Sequence, residues 1–137
     1  MRYRRLGSRH LGLGGATVGE IVWSRTTSLS LGPVAWQPPA DVRETADAIS
    51  VAVELAGMDE DAIDISLYPD ALVIAGVRPP VDCAPDTIFH RAEIRPGPFQ
   101  LVLTLPQPVD ADAVTASYDR GLLTVELPKA TDGGEER

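Results

Sequence analysis

Ile49, Val51, Val53 and Leu55 alternate with Ser50, Ala52 and Glu54. A period of two puts the first set on one face of an extended chain and the second on the other, so the spacing predicts a half-buried β-strand. The alternation returns at Ile63, Ile65 and Leu67, with Asp64 and Ser66 facing away. It returns again at Phe99, Leu101, Leu103 and Leu105, at Val114, Ala116 and Tyr118, and at Leu123, Val125 and Leu127. Ala71 to Val77 reads as a denser apolar strand and Ile88 to Glu93 as a short one. Turn residues separate these runs. Ala56-Gly57-Met58 is a break, and Asp59-Glu60-Asp61 a polar turn that can start one helical turn. Tyr68-Pro69-Asp70 is a tight hairpin connection, Val81 to Thr87 a loop and Pro96-Gly97-Pro98 a turn. Asp119-Arg120-Gly121 is a hairpin turn in which Gly121 is free to take positive φ. Seven or eight short strands at regular spacing, with little helix and no internal repeat, predict an antiparallel β-sandwich.

The flanks read differently. Met1 to Ala35 is rich in Gly, Ser, Thr and Arg without sustained periodicity, the pattern of a flexible arm. Trp36-Gln37-Pro38-Pro39 is a stiff, extended entry, because each proline pushes its predecessor out of the helical region. The expected organisation is a basic N-terminal arm over 1–35, a sandwich over 36–130 and a short charged C-terminal tail over 131–137. A chain of 137 residues with formal net charge −8 suits one such domain. The arm holds five arginines (Arg2, Arg4, Arg5, Arg9, Arg25) against Glu20, a charge of +4, which leaves −12 on the remainder. A basic head can therefore be drawn to its own body or to that of a neighbouring copy. The acidic balance argues against a nucleic-acid partner. No apolar run approaches the roughly 20 residues of a membrane span, so no membrane partner is expected. Leu6 to Val22 is too broken by Gly, Ser, Arg and His to read as a leader segment. The single cysteine, Cys83, excludes an internal disulfide and suits a reducing, cytoplasmic location.

No constellation for catalysis emerges. The two histidines are His10, in the arm, and His90, in the short strand. Cys83 with His90 supplies two ligands where a metal needs three or four, so no metal and no cofactor are expected. Asp82 and Asp86 flank Cys83, an acidic setting that disfavours a thiolate nucleophile. Asp59-Glu60-Asp61 with Asp64 lacks the glycine and the distal glutamate of a calcium loop. Gly12-Leu13-Gly14-Gly15 follows no strand and misplaces the third glycine of a dinucleotide loop. An enzyme is disfavoured.

Several strings resemble the small heat shock proteins. Trp36 to Val42 with Glu44-Thr45 resembles that family's entry into its sandwich. Ile49 to Gly57 is similar to its strand ending in a Leu-Pro-Gly corner, here Leu55-Ala56-Gly57. Asp61-Ala62-Ile63, Leu72 to Arg78, and then Arg91, Glu93, Gly97 and Phe99 continue in family order. Ala116 to Lys129 matches the closing hairpin almost position by position. The resemblance covers about Trp36 to Ala130.

What the resemblance implies is an all-β, two-sheet antiparallel immunoglobulin-like sandwich of α-crystallin type. It implies an ATP-independent holding chaperone, active in the stress response, which binds unfolded or partly unfolded proteins and prevents their aggregation. In the bacterial and plant branch a long loop carries a strand exchanged with a partner to make a homodimer. Gly76 to Phe89 is long enough for that loop, which assigns Ile88, Phe89, His90, Arg91 and Glu93 to the swapped strand and dimer interface. Dimers of the family assemble further through an apolar-x-apolar tail motif docked in a groove of the sandwich. Three positions depart from the pattern. The residues after Lys129 hold no such pair, Ile94 stands where arginine usually follows Glu93, and Leu101 stands where arginine often follows the phenylalanine by two. The expectation is assembly through the swapped dimer and the basic arm, or a small particle.

In the arm, Leu11, Leu13, Ile21, Val22, Trp23, Leu29 and Leu31 are candidates for client contact or for packing on the sandwich. Leu29-Ser30-Leu31 has the apolar-x-apolar spacing that puts both leucines on one face of an extended segment, so it is a candidate for filling the groove. The alternative function is a binding module without holding activity, or an assembly factor for one client, on the same fold.

Overall fold

The computed structural model describes residues 1–5 and 35–131. Among these residues eight strands run in the order β1 (Arg2–Arg5), β2 (Ala40–Glu44), β3 (Ala48–Glu54), β4 (Ile63–Leu67), β5 (Ala71–Arg78), β6 (Gly97–Thr104), β7 (Thr115–Asp119) and β8 (Leu122–Pro128). They form two four-stranded sheets, ordered β1-β4-β5-β6 and β2-β3-β8-β7. Every pairing is antiparallel except that of β1 with β4. The all-β sandwich expected from the alternation is the fold observed. One 3-10 turn, Glu60–Ala62, fills the polar link after Met58; the Asp59 side chain caps it by accepting from the Asp61 amide at 3.2 Å.

The alternating positions make the core. Ile49, Val51, Val53 and Leu55 face Leu123, Val125 and Leu127 within one sheet, and Ile63, Ile65 and Leu67 with Leu72, Ile74, Phe99 and Leu101 supply the other inner face. β5 is denser because its outer face is also covered: Ala71 and Val73 pack beside Tyr68 and Val102. Gly76 lies where β5 passes closest to its surroundings. A Cβ there would sit 2.7 Å from the Ala62 carbonyl oxygen and 2.8 Å from Phe99 Cζ, so only glycine fits without a shift.

Three stretches differ from the sequence reading. The first five residues, assigned to the arm, include β1. Ala40–Glu44, read only as part of an extended entry, forms β2. Ile88 to Glu93 takes no strand in the single chain; all of residues 79–96 are exposed and outside any element. An isolated extended segment has no ladder partner, and a strand exists only where its backbone is paired.

Candidate functional site

Open sheet edges and exposed apolar groups are where a second extended chain can add to a sandwich. The closing hairpin first fixes one end of the sandwich. β7 and β8 join through Arg120 (φ 50°) and Gly121 (φ 82°), the two positive-φ residues of a tight mirror-image turn. Gly121 approaches Ala56 Cα so closely that a Cβ would lie 3.1 Å from it, and its carbonyl accepts from the Leu55 amide at 2.8 Å. The Tyr118 hydroxyl donates to the Leu55 carbonyl and accepts from the Met58 amide at 3.3 Å. The hairpin string thus clamps the Leu55-Ala56-Gly57 corner, which explains why those two strings occur together.

The β6 edge is closed by one residue. Trp36 donates its amide to the Pro98 carbonyl and accepts from the Gln100 amide, both at 3.0 Å, and its indole Nε1 donates to the Gly97 carbonyl at 3.2 Å. Its ring meets Phe99 at 5.5 Å between centroids, and the Arg78 guanidinium stacks over it at 4.3 Å.

The β2 edge is open among the described residues. β2 pairs with β3 on one side only, and four of its five residues are exposed, with Val42 52% exposed. Its far end is pinned: Glu44 receives Lys129 Nζ at 2.8 Å and Gln107 Nε2 at 2.6 Å. The other exposed surface is the long connection from β5 to β6, 79–96. Val81, Ile88, Phe89 and Ile94 stand in it 66%, 79%, 58% and 74% exposed. His90 is exposed, and Arg91 and Glu93 make an exposed ion pair at 3.5 Å. Arg78 Nε holds the loop's far end through the Arg95 carbonyl at 2.9 Å. Cys83 is a free, exposed thiol in this loop.

The β4 edge is covered by β1, in the register Arg2 to Asp64, Tyr3 to Ile65, Arg4 to Ser66 and Arg5 to Leu67. Met1 packs half-buried against the core. Tyr3 donates its hydroxyl to the Ala111 carbonyl at 3.2 Å, and Arg5 Nη1 reaches Asp112 Oδ1 at 3.0 Å. Arg2 Nε lies 3.7 Å from Asp64 Oδ1. The Tyr3 phenol is raised above its ordinary pKa, mainly because burial disfavours the phenolate; Arg5 opposes the shift and Asp112 adds to it.

Of the residues singled out from sequence, Ile88, Phe89, His90, Arg91 and Glu93 lie together on the exposed loop. Trp23, Leu29 and Leu31 lie outside the described residues. Sequence reasoning missed β1 as a site element; its signal was charge, three arginines beside the acidic Asp64 and Asp112, rather than hydrophobic period. Among the described residues no group of three or more His, Cys, Asp or Glu side chains is placed to hold a metal, and no helix is long and apolar enough to cross a membrane.

Residues 41–137 match the model of the Hsp20/alpha crystallin family. The chain is similar to spore protein SP21 of Stigmatella aurantiaca, 37% identical over 98 residues that make up 72% of this chain and 58% of that protein. Its fold is similar to that of a small heat-shock protein from Xylella fastidiosa, with a TM-score of 0.66 at 30% identity, covering 76% of this chain and 95% of the other. Heat shock protein 16.0 from Schizosaccharomyces pombe matches with a TM-score of 0.62 at 30% identity, over 77% and 96% of the two chains.

Proposed function

This chain belongs to the Hsp20/alpha crystallin family, and from that premise we propose that it is a non-enzymatic, ATP-independent holdase of the cytoplasm. It binds partly unfolded proteins as a homodimer or a larger assembly and keeps them from aggregating. The observation that carries this reading is the pairing of a sheet edge, open among the described residues, with a long loop that exposes Val81, Ile88, Phe89 and Ile94. Burying one large apolar side chain contributes about 1.5–3 kcal/mol. A chain that leaves Ile88, Phe89 and Ile94 in water therefore holds binding energy in reserve for a partner.

The homodimer supplies the first partner. Ile88 to Glu93 adds as a strand to the β2 edge of a second copy. The charges favour this: Arg91 can meet Asp41 or Glu44, and Glu93 can meet Arg43, so strand addition brings complementary charge as well as backbone hydrogen bonds. Clients offer the same currency, extended apolar segments with unpaired backbone.

The test is to heat a model client with this protein in the absence of ATP and follow light scattering. Suppression of scattering at a few-fold excess is the expected result. Client aggregation that proceeds unaltered at that excess removes the holdase reading and leaves a binding module.

A further inference from the structure

We infer that Trp36 is a coupling latch: one indole seats both the entry into the sandwich and the base of the 79–96 loop, so the two open together. The inference holds whether or not the chain is a holdase. Three observations carry it. First, the hold on the β6 edge rests on a single residue. The bridge from Trp36 to Phe99 is isolated, with no ladder continuing from it. Trp36 is buried, whereas Ala35 and Gln37 on either side of it are exposed. Such a contact is made or broken as a unit.

Second, both sides of the loop's stem meet that residue. From β6, the Gly97 carbonyl accepts from the indole N–H, the Pro98 carbonyl accepts from the Trp36 amide, and the Gln100 amide donates to the Trp36 carbonyl. From β5, the Arg78 guanidinium lies 4.3 Å over the ring and donates Nε–H to the Arg95 carbonyl. Arg78 and Gly97 are the register pair from which the loop hangs. If the ring leaves its seat on Phe99, Arg78 loses the π face it stacks on and the Gly97 carbonyl loses its donor.

Third, the chain beyond Trp36 is short and stiff. Pro38 is buried, the Pro39 carbonyl accepts from the Glu54 amide at 3.0 Å, and β2 starts at Ala40. Each proline fixes its own φ, so the link has little slack to absorb a displacement of Trp36. The latch thus has two states, seated and unseated. A load on the chain preceding Ala35 falls on Trp36, and a load on the loop falls on Arg78 and Gly97. Both bias the same equilibrium, so each is felt at the other.

The test is amide exchange in the full chain, read residue by residue, with Arg78→Met and Trp36→Phe made singly and together. Arg78→Met removes no backbone bond of Trp36, yet it should speed exchange of the Trp36 and Gln100 amides at least about fivefold. Trp36→Phe keeps a ring without an N–H donor and should speed exchange at the Arg78–Gly97 end of the β5–β6 pair at least about fivefold. The double variant should fall short of the product of the two effects, because the second change acts on a latch already open. Arg78→Lys, which keeps a cation for the ring, should fall between the unaltered chain and Arg78→Met. The amides of β3 and β8 should stay as slow as in the unaltered chain, which separates opening of the latch from loss of the fold. If Trp36→Phe loosens β3 and β8 as well, Arg78→Met decides alone through the Trp36 and Gln100 amides. Trp36 and Gln100 amides that ignore Arg78→Met overturn the proposal, as do two effects that simply multiply.

Discussion

β2 ends its sheet and β4 lies one strand in from the end of the other, under the four-residue β1; both are five residues long, yet they are built on opposite plans. β4 buries Ile63, Ile65 and Leu67 on one face, so its backbone edge lies beside the core. Such an edge is a template for any apolar strand, and the chain covers it with β1. β2 buries none of its residues and carries Asp41, Arg43 and Glu44. Charge, rather than a covering strand, guards it, so it can stay open and still be selective. The difference shows two ways of making one fold safe in water: an edge that belongs to the core is closed, and an edge open among the described residues is guarded by charges.

Deleting Asp82 to Glu93 tests the open side most severely. Pro79 to Val81 and Ile94 to Pro96 would still connect Arg78 to Gly97, which already face each other in register, so the sandwich should survive. The expected outcome is a monomer by light scattering; a dimer that persists places the interface elsewhere. Next in size is a matched pair of truncations. Ile65→Ala on β4 removes a fully buried side chain and should cost about 3 kcal/mol by urea unfolding. Val42→Ala on β2, half in solvent, should stay within about 0.5 kcal/mol. Equal costs would erase the distinction between the two edges. Between those two costs lies Gly76→Ala, which pushes a methyl against the Ala62 carbonyl and Phe99 and should cost about 1–2 kcal/mol. Because Gly76 pairs with Ile63, its effect should also appear as faster exchange in β4 and leave β2 untouched.

The sandwich was legible because its core obeys a period of two. Ile49 to Leu55, Ile63 to Leu67 and Leu123 to Leu127 are buried where the alternation puts them. Gly121 takes the positive φ its turn required, and Arg120 unexpectedly shares it, since a two-residue mirror-image turn needs both. β1 was illegible for a physical reason. Met1-Arg2-Tyr3-Arg4-Arg5 has no hydrophobic run to announce a strand, and what makes it one is a distant edge with acidic neighbours. β2 was hidden likewise, because a strand exposed on both faces carries no amphipathic signature. Local pattern reports burial; it does not report pairing that happens at the rim.

Arg78 and Gly97 close the β5–β6 pair as the two sides of a stem, with Trp36 and the Arg95 carbonyl fastening it. Everything from Pro79 to Pro96 hangs beyond that closure. Once the stem is fastened, doubling the loop's length adds only about 0.6 kcal/mol to the cost of folding. Descendants of this chain can therefore rewrite the loop, in length or in letter, at little risk to the domain that carries it. Surface chemistry and integrity of fold are inherited on separate stretches of the same polypeptide.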